Sequence, residues 1–205
     1  MSKKSNSDIN TKGNKIKISK LVTTAVLTAL VILLQLFASG IKLGSVSISL
    51  VLIPIVIGGI FVGKAGGSFL GFVFGLITLI AGIMGVDGFT HILFTNAPFA
   101  TILICLGKAT AAGFVAAFLY QLISKSNKYV AAFVASAAAP IVNTGLFIVG
   151  SFFLKDIISA NFVAEGTTFF YFMLVGCAGF NFLAELAINL VFAPAIHSIA
   201  RAFKK

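Results

Sequence analysis

Lys108, Asn143 and Glu185 each stand deep inside a long apolar stretch. A charge or carboxamide in hydrocarbon costs several kcal/mol unless it meets a partner, a cavity or a ligand. Asn181, Glu185 and Asn189 recur at every fourth position, which sets them on one face of a helix. That face is too polar for lipid. Measured from the outer ends of their predicted spans, at 97, 154 and 169, Lys108 lies roughly 16 Å into its helix, Asn143 roughly 16 Å and Glu185 roughly 24 Å. Three consecutive helices therefore carry polar groups at similar depth. Two chemistries fit them. A Lys108–Glu185 ion pair would lock the bundle, or a polar pocket would fix a small, partly polar ligand, with Lys108 offered to an anionic group.

Reaction chemistry finds no footing elsewhere in the chain. There is no His-Glu-x-x-His, no Gly-x-Ser-x-Gly, no P-loop and no Asp-rich cluster. The chain is expected not to be an enzyme, to need no cofactor, and to be unable to hydrolyse ATP alone. His91 reads as a solvated loop histidine and His197 as interfacial. Neither has a neighbour at metal-ligand spacing, so no metal site is expected. Cys105 and Cys177 fall in apolar stretches and read as small buried hydrophobes rather than a disulfide.

The elements that must position these residues follow from composition. Of 205 residues, 59% are hydrophobic and 10% charged, with a mean hydropathy of +1.11. A water-facing surface needs about a quarter charged residues, so most of this surface must face lipid. A span takes roughly 20 apolar residues. Six candidates appear, at 21–38, 48–62, 67–85, 97–123, 129–154 and 169–200, with mild interruptions at Pro54 and Pro140. Breaking the fifth near Asn143 would free a carbonyl. Residues 1–20, with six lysines, read as a disordered cytoplasmic tail, and 39–47, 86–96 and 155–168 as loops.

The net charge of +10 does not indicate nucleic acid, because the cations sit at helix ends rather than on one patch. With both termini inside, the tail lysines, Lys64, Lys125, Lys128, Arg201, Lys204 and Lys205 all face the cytoplasm, leaving Lys42 and Lys155 outside. The expectation is an all-α integral membrane protein, a bundle of about six transmembrane helices over 21–205 with both termini cytoplasmic. The longer loops are outside, so a ligand site would open outward.

Small residues add a packing signal. Gly67, Gly71 and Gly75 recur at four-residue spacing in the third span, as Ala25 and Ala29 do in the first. Such stripes let helix backbones approach closely in lipid. The glycines are expected to pack inside the bundle. For the alanine pair the residues alone express no preference.

Over 20–205 the chain resembles a known family, the substrate-binding S components of energy-coupling factor (ECF) vitamin transporters. The resemblance is carried by Ala25-Val-Leu-Thr-Ala29, by Leu52-Ile-Pro-Ile-Val-Ile-Gly-Gly with Gly63-Lys-Ala-Gly-Gly and the glycine stripe, by Pro140-Ile-Val-Asn143-Thr144, and by 181–194. It implies a vitamin-binding subunit of an importer in the cytoplasmic membrane of a bacterium, partnered by a transmembrane coupling subunit and two ATPases. It implies that Ala25 and Ala29 contact the coupling subunit. It also implies a pocket in spans 4–6, here Lys108, Asn143, Thr144, Asn181 and Glu185, gated by 39–47 and 86–96. Lys108 suits a carboxylate or phosphate, which makes pantothenate the leading substrate, ahead of folate-like or flavin-like ligands. A stand-alone transporter or channel, or a ligand-free membrane assembly protein, are the rival classes.

Overall fold

The computed structural model describes residues 2–38, 42–43, 46–47, 50–177 and 179–202. Its order is α1 (Ser2–Ala38), β1 (Lys42–Leu43), β2 (Val46–Ser47), α2 (Leu52–Phe61), α3 (Lys64–Ile83), α4 (Gly88–Asn96), α5 (Pro98–Ile123), α6 (Lys128–Phe152), α7 (Lys155–Phe162) and α8 (Phe169–Tyr171). A π-helical segment (Phe172–Cys177) and α9 (Gly179–Ala202) complete the chain. Five helical stretches, within α1, α3, α5, α6 and α8–α9, are long and apolar enough to cross a membrane. With the shorter apolar α2 they form the expected all-α membrane bundle of about six helices.

Glycine decides how closely the bundle closes. Along α3, Gly67, Gly71 and Gly75 face Gly113, Ala109 and Cys105 of α5. A Cβ added at any of the three would come within 3.0 Å of the facing backbone carbonyl, a separation that real Cβ atoms do not show. Gly113 returns the contact, since its own Cβ would strike the Gly67 carbonyl. The helices therefore touch backbone to backbone over two turns, which maximises dispersion where no hydrophobic effect operates between helices. α5 packs in turn on α6, and α6 on α9.

α2 explains itself by composition. Its sequence is apolar on every side, and such a helix must be buried all round. It touches α1, α3, α5, α6 and α9, and Leu52, Ile55 and Val56 are fully enclosed. Ten residues span only about 15 Å, shorter than the second span expected at 48–62; residues 48 and 49 lie outside the described residues. Surrounded by protein, α2 does not have to match the bilayer. Pro54 sits in its first turn, where a missing N–H costs nothing, so it starts the helix rather than interrupting it. Gly63, at φ 99°, turns the chain from α2 into α3.

α1 lies at the margin. It reaches α2 and α3 through Leu27 and Val31, and the Gln35 amide donates to Thr78 Oγ1 of α3 at 3.3 Å. Leu21, Val22, Val26, Leu33, Leu36 and Phe37 point outward. Backbone demand is met within the helices. The hydroxyls of Thr24, Thr28, Thr78, Thr101 and Ser151 each donate to the carbonyl four residues back. Asn127 caps α6, accepting from the amides of Tyr129 and Val130.

Four expectations are corrected. Residues 2–20 are not a disordered tail but continue the helix of the first span, since nothing from Ser2 to Lys20 obliges it to stop there; the single glycine is tolerated and no proline occurs. The outer loops at 86–96 and 155–168 hold helices α4 and α7. Residues 39–47 contain a short antiparallel pair, Lys42 opposite Ser47 and Leu43 opposite Val46, with residues 39–41, 44 and 45 outside the described residues. Pro140 stands within an unbroken α6.

The close α3–α5 contact yields a stability prediction. Gly71→Ala should lower the melting temperature of the detergent-purified protein by an amount equivalent to about 1–3 kcal/mol. Gly145→Ala, on α6 with nothing within 4 Å of the added Cβ, should leave it unchanged or raise it slightly.

Candidate functional site

Six buried polar side chains on two neighbouring helices set the interior of α6 and α9 apart. On α6 these are Ser136, Asn143 and Ser151, and on α9 Asn181, Glu185 and Asn189. The α9 set follows the four-residue spacing read from the sequence, and Ala193 extends the same buried face. Asn189 is fully enclosed, and its amide donates to the Glu185 carbonyl at 2.8 Å. Asn143 is 6% exposed, and among the described residues its Oδ1 accepts no hydrogen bond. A carboxamide oxygen held so, away from lipid, is an acceptor in waiting.

The structure places the predicted residues as follows. Asn143, Asn181 and Glu185 are buried; Thr144 and Lys108 are half-buried. α6 is the common neighbour of α5, which carries Lys108, and of α9, which carries Asn181 and Glu185. Asn143 and Phe147 are one turn apart on one face of α6. Among the described residues Lys108 meets that ring: its Nζ stands 4.7 Å from the Phe147 centroid. A ring face offers an ammonium a weaker and less directional hold than a carboxylate does.

Sequence reasoning missed the cover over these residues. Phe89 and Leu93 of α4, Leu154 and Ile158 of α7 and its N-terminal edge, and Phe169 and Met173 of the last span form one buried apolar cluster, with Phe147 packed against it. Its rings interlock. Phe89 lies 5.9 Å from Phe147 and 4.8 Å from Phe162, and Phe162 lies 6.2 Å from Phe172. α4 is pinned by polar contacts too. Thr90 Oγ1 donates to Asp87 at 2.5 Å, and His91 Nδ1–H donates to the Gly82 carbonyl of α3 at 2.9 Å. His91 is thus exposed, as expected, but it lies in a helix and ties α4 to α3. The hint available was the recurrence of Phe in segments that otherwise read as loops.

The remaining candidates fall elsewhere. Ala25 and Ala29 are exposed on α1, on the side away from buried Leu27 and Val31. His197 packs edge-on against Tyr129 at 5.4 Å. Cys105 is a buried free thiol in the α3–α5 contact. The side chain of Cys177 lies outside the described residues. Among the described residues no three His, Cys, Asp or Glu side chains gather as metal ligands.

A multi-pass helical membrane protein with a buried polar face and an aromatic cluster at one end has the form of a membrane solute-binding subunit. Residues 19–197 match the family model described as "ECF transporter, substrate-specific component". The chain belongs to that family. No curated protein matches it.

The cover generates a prediction. Phe89→Ala removes the ring that joins α4 to both Phe147 and Phe162 and should destabilise the protein by about 3–5 kcal/mol. Limited proteolysis should then cut first within 84–97; unchanged cutting there would mean that the ring does not hold the cover.

Proposed function

We propose that this chain binds a vitamin or related micronutrient with high affinity and acts as the specificity subunit of an ECF-type ABC importer, with pantothenate as the leading substrate. The observation that carries this is the buried polar set Asn143, Asn181 and Glu185 on the packed helices α6 and α9, with α6 also packed on the helix that carries Lys108. Soluble anionic nutrients present carboxylate, hydroxyl and amide groups, and this set supplies a cation, carboxamides and an acid to meet them. Thr144 adds a hydroxyl next to Asn143. The chain works by binding and release and not as an enzyme.

The distribution of cations supports an orientation in which both termini and the short turns lie in the cytoplasm of a bacterium and the α4–α7 cover faces outward. Substrate then enters from outside by displacement of the cover. Energy comes from partners, a transmembrane coupling subunit and two ATPases, because this chain has no P-loop. Ala25 and Ala29 suit the coupling-subunit contact: small, exposed and on the outer side of the most peripheral helix, they allow a partner helix to approach closely.

Two outcomes are expected. The double substitution Ala25→Leu with Ala29→Leu should spare binding by the isolated chain and abolish ATP-driven uptake by the reconstituted complex. Normal uptake by that variant would remove the interface. Lys108→Ala should weaken pantothenate binding by at least tenfold in equilibrium dialysis, with expression and melting temperature of the empty protein nearly unchanged. Collapse of folding would instead show that Lys108 has a structural role, since losing one member of a buried ion pair is strongly destabilising.

A further inference from the structure

Lys108 is ten residues in from Pro98 on α5, and Phe147 is five residues from the end of α6 at Phe152. Gly150 of α6 lies against the Ile104 side chain of α5, which puts Phe147 and Lys108 within about one turn of each other on the two packed helices. The lysine side chain places its ammonium over the ring, as long cationic side chains do near apolar surface. Phe147 is not an isolated ring. Through Phe89 it touches α4, through Phe89 and Phe162 it is joined to α7, and through Phe162 and Phe172 to the π-helical segment of the last span. A run of rings links Lys108 to every element of the cover.

We infer that Phe147 is a built-in competitor for Lys108, holding the ammonium while the site is empty and yielding it to the anionic group of an arriving ligand. This rests on the solute-binding function proposed above. The physical basis is the difference between the two partners. A ring quadrupole attracts an ammonium without accepting a directed hydrogen bond, whereas a carboxylate or phosphate brings a full charge and accepts from the N–H groups. The exchange favours an anion, whereas a neutral analogue leaves the ring contact in place. Phe147 thereby holds affinity for the anion below what a free Lys108 would give. Because its ring leans on Phe89, the exchange also disturbs the packing that holds α4 and α7. Occupancy and the state of the cover are coupled through one side chain.

Removing the ring should release Lys108 in advance. A contact of this class corresponds to about a two- to thirty-fold change in affinity. Phe147→Leu should tighten binding of a carboxylate ligand by that factor and change binding of its neutral analogue less. The test uses the full chain in lipid nanodiscs with lysines labelled as 13C-dimethyl-lysine, which keeps their charge. The Lys108 signal is assigned by its absence in Lys108→Arg. In the empty protein it should show a ring-current shift that Phe147→Leu abolishes; an unshifted wild-type signal overturns the inference whether or not the variant folds.

Paired probes then separate the outcomes: pantothenate with panthenol, and nicotinate with nicotinamide. The carboxylate member of a binding pair should move the Lys108 signal to its ring-free position. Carboxylate binding with that signal unmoved, or a lower carboxylate-to-neutral affinity ratio in Phe147→Leu, contradicts the exchange. Binding of a neutral member alone also contradicts it while leaving the solute-binding function standing. Binding of no member contradicts both.

Discussion

Everything in this bundle depends on the backbone contact between α3 and α5. Gly67, Gly71 and Gly75 lie against the carbonyls of α5, leaving no room for a Cβ. In lipid, helices gain little by hiding apolar side chains from one another, so close packing has to supply the attraction. The contact fixes α5, and α5 carries Lys108. α6 then packs on α5 and α9 on α6, so the depth and direction of the polar residues follow from a contact that contains no functional group. A methyl group inserted there would displace the site without touching it.

The interior is arranged by a second constraint, the cost of polar groups in hydrocarbon. Asn143, Asn181, Glu185 and Asn189 turn inward because lipid would leave them unsatisfied. Having turned inward, they lie on the packed helices α6 and α9, and α6 packs in turn on α5, which carries Lys108. The cover of α4, α7 and the start of the last span is mainly aromatic and therefore held by many small contacts rather than a few strong ones. The bond from His91 to the Gly82 carbonyl adds one directed tie between α4 and α3 to that packing.

Much of this was legible in the sequence, and the physical reasons are specific. The long spans announce themselves because lipid demands an apolar run of set length, and their ends fell within a few residues of 97–123 and 129–154. The glycine stripe read as internal packing, and it is. The Asn181–Glu185–Asn189 face was visible because helical periodicity is strict. Less was legible where a segment mixes polar and apolar residues over one or two turns: α4 and α7 read as loops because short helices leave no periodic signal long enough to count. Phe147 was missed for a different reason. With 22 phenylalanines in the chain, residue type alone could not single out the ring that meets Lys108. Its position one turn beyond Asn143 was the only clue.

The most direct test of the account is equilibrium dialysis of the solitary chain in lipid nanodiscs against radiolabelled water-soluble vitamins. The account predicts that one of them, with pantothenate foremost, binds at one site per chain with submicromolar affinity and in the absence of any coupling subunit or ATPase. Saturable binding of none, across a protein shown to be folded, would contradict it.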